Sequence, residues 1–242
     1  MDRFDSIIIC ATPRSGSTLL CDLLAGTGQA GAPNSFYRRQ SIPNWVRRWA
    51  LDPDAPDFDR TYLTVARQMG TAGTGMFGMR QMWDHKVEMD KRLANLFPDL
   101  SEMDRLREAF GTIRFLYLRR EDAVAQAVSR AKAEQSGLWH QHADGTTREQ
   151  VGARREPTFD RAQIAAFVAE AEADNQRWEG WFTVNNISPL CLTYETLAAD
   201  PQATLDRITE DIGLAPTVAT VKSRKLSDTV SKDWIRQYHS DA

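Results

Sequence analysis

Residues 12–18, TPRSGST, bring together an arginine, a glycine and several hydroxyl side chains. The guanidinium of Arg14 can form paired hydrogen bonds with the oxygens of a phosphate-like group, and hydroxyl groups can donate further bonds to it. Gly16 allows the main chain to approach a ligand closely. The segment therefore indicates an oxyanion-binding loop. Its candidate binding residues are Pro13, Arg14, Ser15, Gly16, Ser17 and Thr18.

The flanking residues predict the elements that hold this loop. Residues 6–11 form a short apolar run rich in β-branched residues, which is typical of a buried parallel strand. After the loop, leucines recur at helical spacing as far as Leu24. In such a strand–loop–helix unit, the loop N–H groups and the positive end of the helix dipole face one point, where an anion can bind without a metal. An ordinary polar turn between strand and helix is the alternative interpretation.

The loop differs from the one that binds nucleoside triphosphates. That loop follows the pattern G-x-x-x-x-G-K-[ST], in which the lysine reaches the terminal phosphates and the hydroxyl holds magnesium. Residues 12–18 contain one glycine and no lysine. The pattern therefore disfavours a small-molecule kinase that uses ATP and magnesium.

A second cationic position follows another apolar run. Residues 113–118 predict a strand that ends at Arg119 and Arg120, and the small-residue helix expected from residue 123 carries Ser129 on its second turn. Ligands of open α/β sheets bind in the crevice at the carboxyl ends of the strands, so these side chains are candidates for a second anion contact. The alternative is a surface charge cluster. The sequence does not decide which of the two arginines faces the crevice.

The remaining chain alternates predicted strands with predicted helices. Further strands are expected at residues 75–83 and 189–193, a helix at 84–97 with Asp84 as its N-cap, and a long amphipathic helix at 160–181. Residues 134–159 are polar and read as a lid, a binding loop or a disordered segment. The alternation predicts one domain over residues 1–242, a three-layer α/β/α sandwich around a mostly parallel sheet.

Composition narrows the function classes. The 242 residues carry a formal net charge of −3, which gives no electrostatic case for nucleic acid or for an anionic membrane. No stretch approaches transmembrane length, and no signal peptide is recognised. Cys10, Cys21 and Cys191 lie in or beside apolar runs without metal-ligand spacing, so we expect reduced core thiols, no metal and a cytoplasmic location.

Taken together, these segments resemble the sulfotransferases that use 3′-phosphoadenosine 5′-phosphosulfate (PAPS), and in particular the bacterial trehalose 2-sulfotransferase-like group. Residues 12–20 resemble that family's 5′-phosphosulfate loop, and residues 118–129 resemble its 3′-phosphate motif. Residues 78–83, GMRQMW, resemble the strand G-x-K-x-M-W, with Arg80 where the group usually has lysine. The segments 194–201 and 233–238 resemble the C-terminal half.

The resemblance implies a P-loop-like sulfotransferase fold, PAPS as donor and 3′-phosphoadenosine 5′-phosphate (PAP) as product. Arg14 and the loop, with Arg80 as a helper, are expected to hold the sulfonate and bridging oxygens. Arg119 or Arg120 together with Ser129 is expected to hold the 3′-phosphate. The C-terminal basic loop of related enzymes closes over the donor, which adds Arg224 and Lys225. Related enzymes often dimerise, so a homodimer is expected as well.

This sequence departs from the group at the general base. The group usually carries a glutamate in a G-E-P-x-E stretch after the first helix, and Ser35 occupies that position here, in residues 31–37. A serine hydroxyl is not a general base near neutral pH. His85, oriented by Asp84, is the proposed replacement; an exposed His85 beside a helix-capping Asp84 is the alternative. His140 and His142 are second choices.

The sequence leaves three functions open. The first is sulfuryl transfer from PAPS by in-line displacement to a hydroxyl of a small, carbohydrate-like acceptor; the differences at the acceptor-side residues disfavour trehalose itself. The second is a degenerate protein that binds PAP or PAPS without turnover, which is motivated by Ser35. The third is the small-molecule kinase already disfavoured by the loop.

Overall fold

The structure is a computed structural model, and it describes residues 4–141, 144, 146–153, 155–220 and 229–240. Within these residues the central sheet has four parallel strands in the order β2-β1-β3-β6. The register places Ile8 between Met79 and Phe115. The strands of this sheet are β1 (Ser6–Ala11), β2 (Phe77–Gln81), β3 (Ile113–Arg119) and β6 (Leu190–Thr193). β4 (Leu138–Gln141) and β5 (Thr147–Gln150) form a separate antiparallel pair.

Helices fill the connections between the strands. Side chains of Ser101, Asp160 and Asp200 accept backbone N–H bonds at three helix starts, as N-caps do. The helices are α1 (Ser17–Gly26), α2 (Ile42–Arg48), α3 (Phe58–Thr71), α4 (Trp83–Leu96), α5 (Glu102–Phe110), α6 (Ala123–Ser136), α7 (Arg161–Val184), α8 (Tyr194–Ala199), α9 (Pro201–Ile212) and α10 (Thr229–Ser240).

The two faces of the sheet are both covered, which makes three layers. Because side chains alternate along a strand, Ile7 and Ile9 pack with α1 and α9, whereas Ile8 and Cys10 pack with α3, α4, α5 and α7 on the other side. All of these strand side chains are at most 2% exposed. Burial on both faces explains why the strand sequences are continuous apolar runs. The predicted three-layer fold with a mostly parallel sheet is confirmed.

Several local expectations need correction. α4 begins at Trp83 with Met82 as its N-cap, so Asp84 is not the cap. Cys191 is exposed rather than a core thiol, whereas Cys10 and Cys21 are buried. Residues 134–159 contain the β4–β5 hairpin, so this segment is more regular than a loop.

The paired tryptophans of α2 and its end serve packing. Trp45 and Trp49 stack at 5.1 Å between ring centroids, and both pack against the buried cluster that includes Phe36 and Tyr62. In the part of the chain that the structure describes, no helix is long and apolar enough to cross a membrane.

Candidate active site

A cavity of about 1020 Å³ lies at the carboxyl ends of the parallel strands. Residues just beyond the strand ends line one part of the cavity. Met82, Arg120 and Tyr194 are each the first residue after a strand, and Pro13 is the second residue after β1. Side chains of α6 and of the β4–β5 hairpin line another part. This is the edge at which open parallel sheets bind ligands.

The loop after β1 has an unusual backbone. Gly16 precedes α1 as its N-cap with φ 86°, and a Cβ there would lie 2.6 Å from a ring carbon of Tyr194. Both the backbone angle and the ring contact therefore require glycine. Arg14 has φ 65°, which non-glycine residues rarely adopt and which is typical of strained positions at ligand sites.

Two groups of polar side chains lie beside this loop. In the first, here called the Arg80 corner, the guanidinium of Arg80 donates from Nη1 to Thr18 Oγ1 at 2.8 Å and to Ser17 Oγ at 3.5 Å. Arg80 Nε also donates to Ser35 Oγ at 2.9 Å. Ser17 and Thr18 are the first two residues of α1, whose N-cap Gly16 has no side chain to accept the first N–H groups of the helix.

The second group, the Arg120 corner, comprises Arg14, Arg120 and Ser129. Arg14 Nε donates to Ser129 Oγ at 3.1 Å, and Arg120 lies 4.4 Å from the centroid of the Tyr194 ring. Arg120 Nη1 reaches the Arg14 carbonyl at 3.5 Å, but its buried Nε has no hydrogen-bond partner among the described residues. Arg119, the neighbouring candidate, is exposed and lies outside the cavity lining.

The electrostatics of the cavity favour an anion. Burial, and then the charges of Arg120 and Arg80, lower the pKa of Arg14 to about 10, although Glu149 and Tyr194 act in the opposite direction. Burial also lowers the pKa of Arg120. Both groups remain cations at neutral pH, so an anionic ligand would relieve their mutual repulsion.

Some predicted site residues do not face the cavity. Ser15 is fully buried, and its hydroxyl donates to the Thr12 carbonyl at 2.8 Å. Ser35 is 4% exposed and lies behind Arg80, outside the cavity lining. Arg224, Lys225 and His142 lie outside the described residues.

His85 and Asp84 both line the cavity, but their geometry does not favour His85 as a base. The Met82 backbone N–H donates to His85 Nδ1 at 3.3 Å, an arrangement that leaves the proton of the neutral ring on Nε2. Burial, with the charges of Arg80 and Arg38, lowers the pKa of His85 to about 3. Asp84 Oδ1 is 3.7 Å from Nε2, and the Asp84 side chain is 67% exposed.

The hairpin contributes His140, which the sequence analysis gave as a second-choice base, and polar groups that it did not single out. Glu149 on β5 lines the cavity and pairs with Arg38 at 3.2 Å between Oε1 and Nη1. His140 on β4 lies with Nε2 3.2 Å from Thr18 Oγ1. Arg14 Nη1 donates to the Trp139 carbonyl at 2.6 Å.

Neither Arg38 nor Glu149 belongs to a recognisable motif, so only the three-dimensional structure brings them to the site. Tyr194 lies in the segment 194–201 that resembles the family, but this resemblance did not predict the contacts of Tyr194 with Gly16 and Arg120.

Comparison with known proteins identifies the family. The sequence model described as Stf0 sulphotransferase matches residues 6–241. The chain belongs to the Stf0 sulphotransferase family. Its catalytic class is therefore that of a sulfotransferase, as the resemblance predicted.

Relatives of this Stf0 sulphotransferase carry a more specific name. A trehalose 2-sulfotransferase of Mycobacterium tuberculosis is 30% identical over 268 residues, with 97% of this chain and 94% of that protein covered. A trehalose 2-sulfotransferase of Mycolicibacterium smegmatis is 28% identical, with 100% and 97% covered. The chain is thus similar to these proteins over nearly its whole length.

A solved structure supports the fold. The sulfotransferase domain from the curacin biosynthetic pathway superimposes with a TM-score of 0.51 at 16% identity, covering 88% of this chain and 76% of that one. Among the described residues there is no cluster of three or more metal-ligating side chains.

Proposed function

We propose that this sulfotransferase takes its sulfuryl group from PAPS and passes it, by in-line displacement, to a hydroxyl of a small carbohydrate-like acceptor. The observation that carries the proposal is the convergence of three arginines, Arg14, Arg80 and Arg120, on one cavity at the carboxyl ends of the strands. The two corners that they form match the two anionic ends of this donor.

The Arg120 corner fits a phosphate group. The buried Arg120 Nε has no hydrogen-bond partner in the described chain, and a buried guanidinium nitrogen without a partner is costly unless a ligand satisfies it. Ser129 lies 3.1 Å from Arg14 Nε, so a phosphate at this corner has two guanidinium groups and a hydroxyl within reach. We assign this corner to the 3′-phosphate, with Arg120 rather than Arg119.

The Arg80 corner fits the opposite end of the donor. Ser17, Thr18 and the N-terminal N–H groups of α1 offer donors beside Arg80, and the positive end of the α1 dipole adds to its charge. When bound, PAPS would supply the sulfuryl group, and PAP would leave. Arg80 and these donors would bind the oxygens on which negative charge develops, which is how preorganised cations and N–H groups lower a barrier.

The acceptor class rests on the relatives. Both named relatives are trehalose 2-sulfotransferases, which makes a polyhydroxylated sugar the acceptor to test first. The cavity volume of about 1020 Å³ leaves room for donor and sugar together. Ser35 and Ala32 replace the acidic residues expected on the acceptor side, so we propose a sugar-like acceptor without assigning trehalose.

The test combines binding with transfer. We expect calorimetry to show that PAP binds without magnesium and more tightly than AMP, which lacks the 3′-phosphate, and that ATP with magnesium does not compete. Radiolabelled PAPS, incubated with the protein and a panel of sugars that includes trehalose, should yield a labelled sugar. Tight binding of ATP–magnesium together with no binding of PAP would refute the proposal.

A protein that binds the donor without turnover is the second candidate, because Ser35 replaces the usual glutamate and is engaged by Arg80. It predicts the same PAP affinity with no labelled product for any sugar. The transfer assay therefore separates the two candidates. If the protein transfers sulfate, Arg80→Met should lower the rate of transfer. Arg39→Met, which alters an exposed side chain, is the control and should leave that rate unchanged.

A further inference from the structure

We propose that the β4–β5 hairpin supplies the proton acceptor of the reaction, with His140 Nε2 taking the proton of the attacking hydroxyl and the charge of Glu149 stabilising the imidazolium that forms. The inference rests on the proposed sulfuryl transfer, and it names the group that replaces the missing glutamate.

Distances place this pair beside the Arg80 corner. His140 Nε2 lies 3.2 Å from Thr18 Oγ1, and Thr18 Oγ1 lies 2.8 Å from Arg80 Nη1. Glu149 Oε2 lies 3.5 Å from the same imidazole nitrogen. The imidazole is 24% exposed toward a cavity that it lines, so a bound hydroxyl can reach it.

Hydrogen-bond polarity is compatible with Nε2 as a proton acceptor. Arg80 can only donate, so Thr18 Oγ1 accepts from Arg80 and keeps its own hydrogen available for His140 Nε2. In that tautomer Nε2 carries a lone pair. An acceptor hydroxyl that replaces the Thr18 bond would be aligned for proton transfer to the same atom.

Glu149 is held where it can act on the ring. Its other oxygen, Oε1, pairs with Arg38 Nη1 at 3.2 Å, and Arg38 also lies over the Trp139 ring at 5.9 Å. Arg38 follows Ser35 by three residues, so the hairpin carboxylate is tied to the segment from which the usual glutamate is missing. The charge of Glu149 favours the imidazolium that forms when Nε2 takes a proton.

The step balances as a displacement. The acceptor oxygen forms a bond to sulfur, while the bond between sulfur and the 5′-phosphate oxygen breaks and its electron pair leaves with PAP. The hydroxyl proton goes to His140 Nε2. Solvent then removes it when the product leaves.

The experiment compares His140→Gln, Glu149→Gln and, as a control, His239→Gln, which alters an exposed side chain of α10. Transfer from PAPS is measured against pH, and PAP affinity is measured by calorimetry. We expect His140→Gln to lower kcat roughly 100-fold or more, as loss of a general base does. Its PAP affinity should stay within about threefold of the wild type, because the proposed phosphate contacts are kept.

The pH profile separates catalysis from structure. A neutral imidazole base loses activity in acid, so the wild type should show an acid limb that His140→Gln lacks. Glu149→Gln should move this limb to lower pH, because the imidazolium loses a neighbouring carboxylate. Among the described residues, the charged groups near His140 include Glu149 on β5, Arg80 behind Thr18, and Arg38 and Arg14 at adjoining contacts.

Full activity of His140→Gln, or an acid limb unchanged in both variants, would overturn the inference. So would activity lost in proportion to PAP affinity, which would make His140 a binding residue. A wild type that binds PAP but transfers to no acceptor would instead refute the proposed function, so the two failures are distinguishable.

Discussion

At the scale of single residues, the site is defined by which of several similar side chains faces the cavity. Arg120 and Arg119 are adjacent, yet the first lines the cavity and the second is exposed: Arg119 is the last residue of β3, whereas Arg120 follows the carboxyl end of that strand, where the cavity lies. Likewise, Ser17 lines the cavity while Ser15 is bonded inside the loop. Residue type alone does not separate these pairs.

Arg120→Ala and Arg119→Ala form a matched test of the Arg120 corner. We expect Arg120→Ala to weaken PAP binding roughly 10- to 100-fold, since a charged hydrogen-bonded contact is worth about 1.5–3 kcal/mol. AMP, which lacks the 3′-phosphate, should be affected much less. Calorimetry with both nucleotides measures the difference. Equal losses in the two alanine variants would contradict the assignment of Arg120.

His85 makes the protein sensitive to acid. Its pKa is lowered from 6.5 to about 3 in the folded state, so below pH 6.5 the unfolded chain binds a proton that the folded one does not. Stability contributed by the neutral ring is therefore present above pH 6.5 and lost as the pH falls toward 3. The expected slope is about 1.4 kcal/mol per pH unit within this window.

Urea unfolding of the wild type and His85→Asn at pH 6.5, 5.5 and 4.5 tests this sensitivity. The free energy of unfolding of the variant should fall less steeply with acid, whereas His239→Asn, at an exposed position, should behave like the wild type. Parallel curves for all three proteins would show that His85 is not the responsible group.

At the scale of elements, α6 is tied to the loop after β1 through a residue that touches neither proposed ligand end. Gln126 is 2% exposed, and its amide donates to Thr12 Oγ1 at 2.8 Å and to the Pro13 carbonyl at 2.6 Å. The helix that carries Ser129 is thereby fixed to the loop that carries Arg14. The relative position of Arg14 and Ser129 in the Arg120 corner therefore depends on this link.

Gln126→Leu should lower both stability and donor binding. Two buried hydrogen-bond acceptors lose their donor, and we expect a loss of about 1–3 kcal/mol in the free energy of unfolding. PAP affinity should also fall, because the loop is less well fixed. Chemical denaturation and calorimetry measure the two effects. Gln68→Leu, on the exposed face of α3, is the control, and an equal effect there would refute the link.

The elements show how far the sequence predicts this molecule. Continuous apolar runs located β1, β3 and β6, because parallel strands buried on both faces need them. The hairpin was not predicted, since β4 and β5 are short and polar and are held by side-chain contacts with distant loops. For the same reason Glu149 and Arg38 could not be foreseen, whereas the loop residues around Gly16 could.

At the scale of the whole molecule, an ion cluster around a buried lysine joins the helices on one face of the sheet. Lys86 on α4 is 5% exposed; it pairs with Asp90 and, at 2.6 Å, with Glu102 on α5. Trp181 on α7 donates to the same Glu102 carboxylate at 2.6 Å. Three helices therefore meet at one lysine, and their packing depends on its charge.

Lys86→Met should destabilise the fold by about 1.5–3 kcal/mol, because the charged hydrogen bonds from the buried ammonium to the Asp90 and Glu102 carboxylates are lost. Replacing Asp90 by leucine in the same chain should recover part of the loss, since one of the two carboxylates left without their counter-ion is removed. Lys91→Met, at an exposed position of the same helix, serves as control. Thermal and urea unfolding of the three variants measure the effect, and a stable Lys86→Met would contradict this account.

The hairpin has a consequence for how such enzymes diversify. In the described chain β4 and β5 pair with each other and contribute no strand to the central sheet. They contact Arg14, Thr18 and Arg38 through side chains and one backbone carbonyl. An exchange of residues 138–150 therefore leaves the sheet register untouched. On the proposed function, exchanging this hairpin would change the groups at His140 and Glu149 while the strands that position Arg80 and Arg120 are kept, so grafting residues 138–150 between homologues offers a route to new sulfated products.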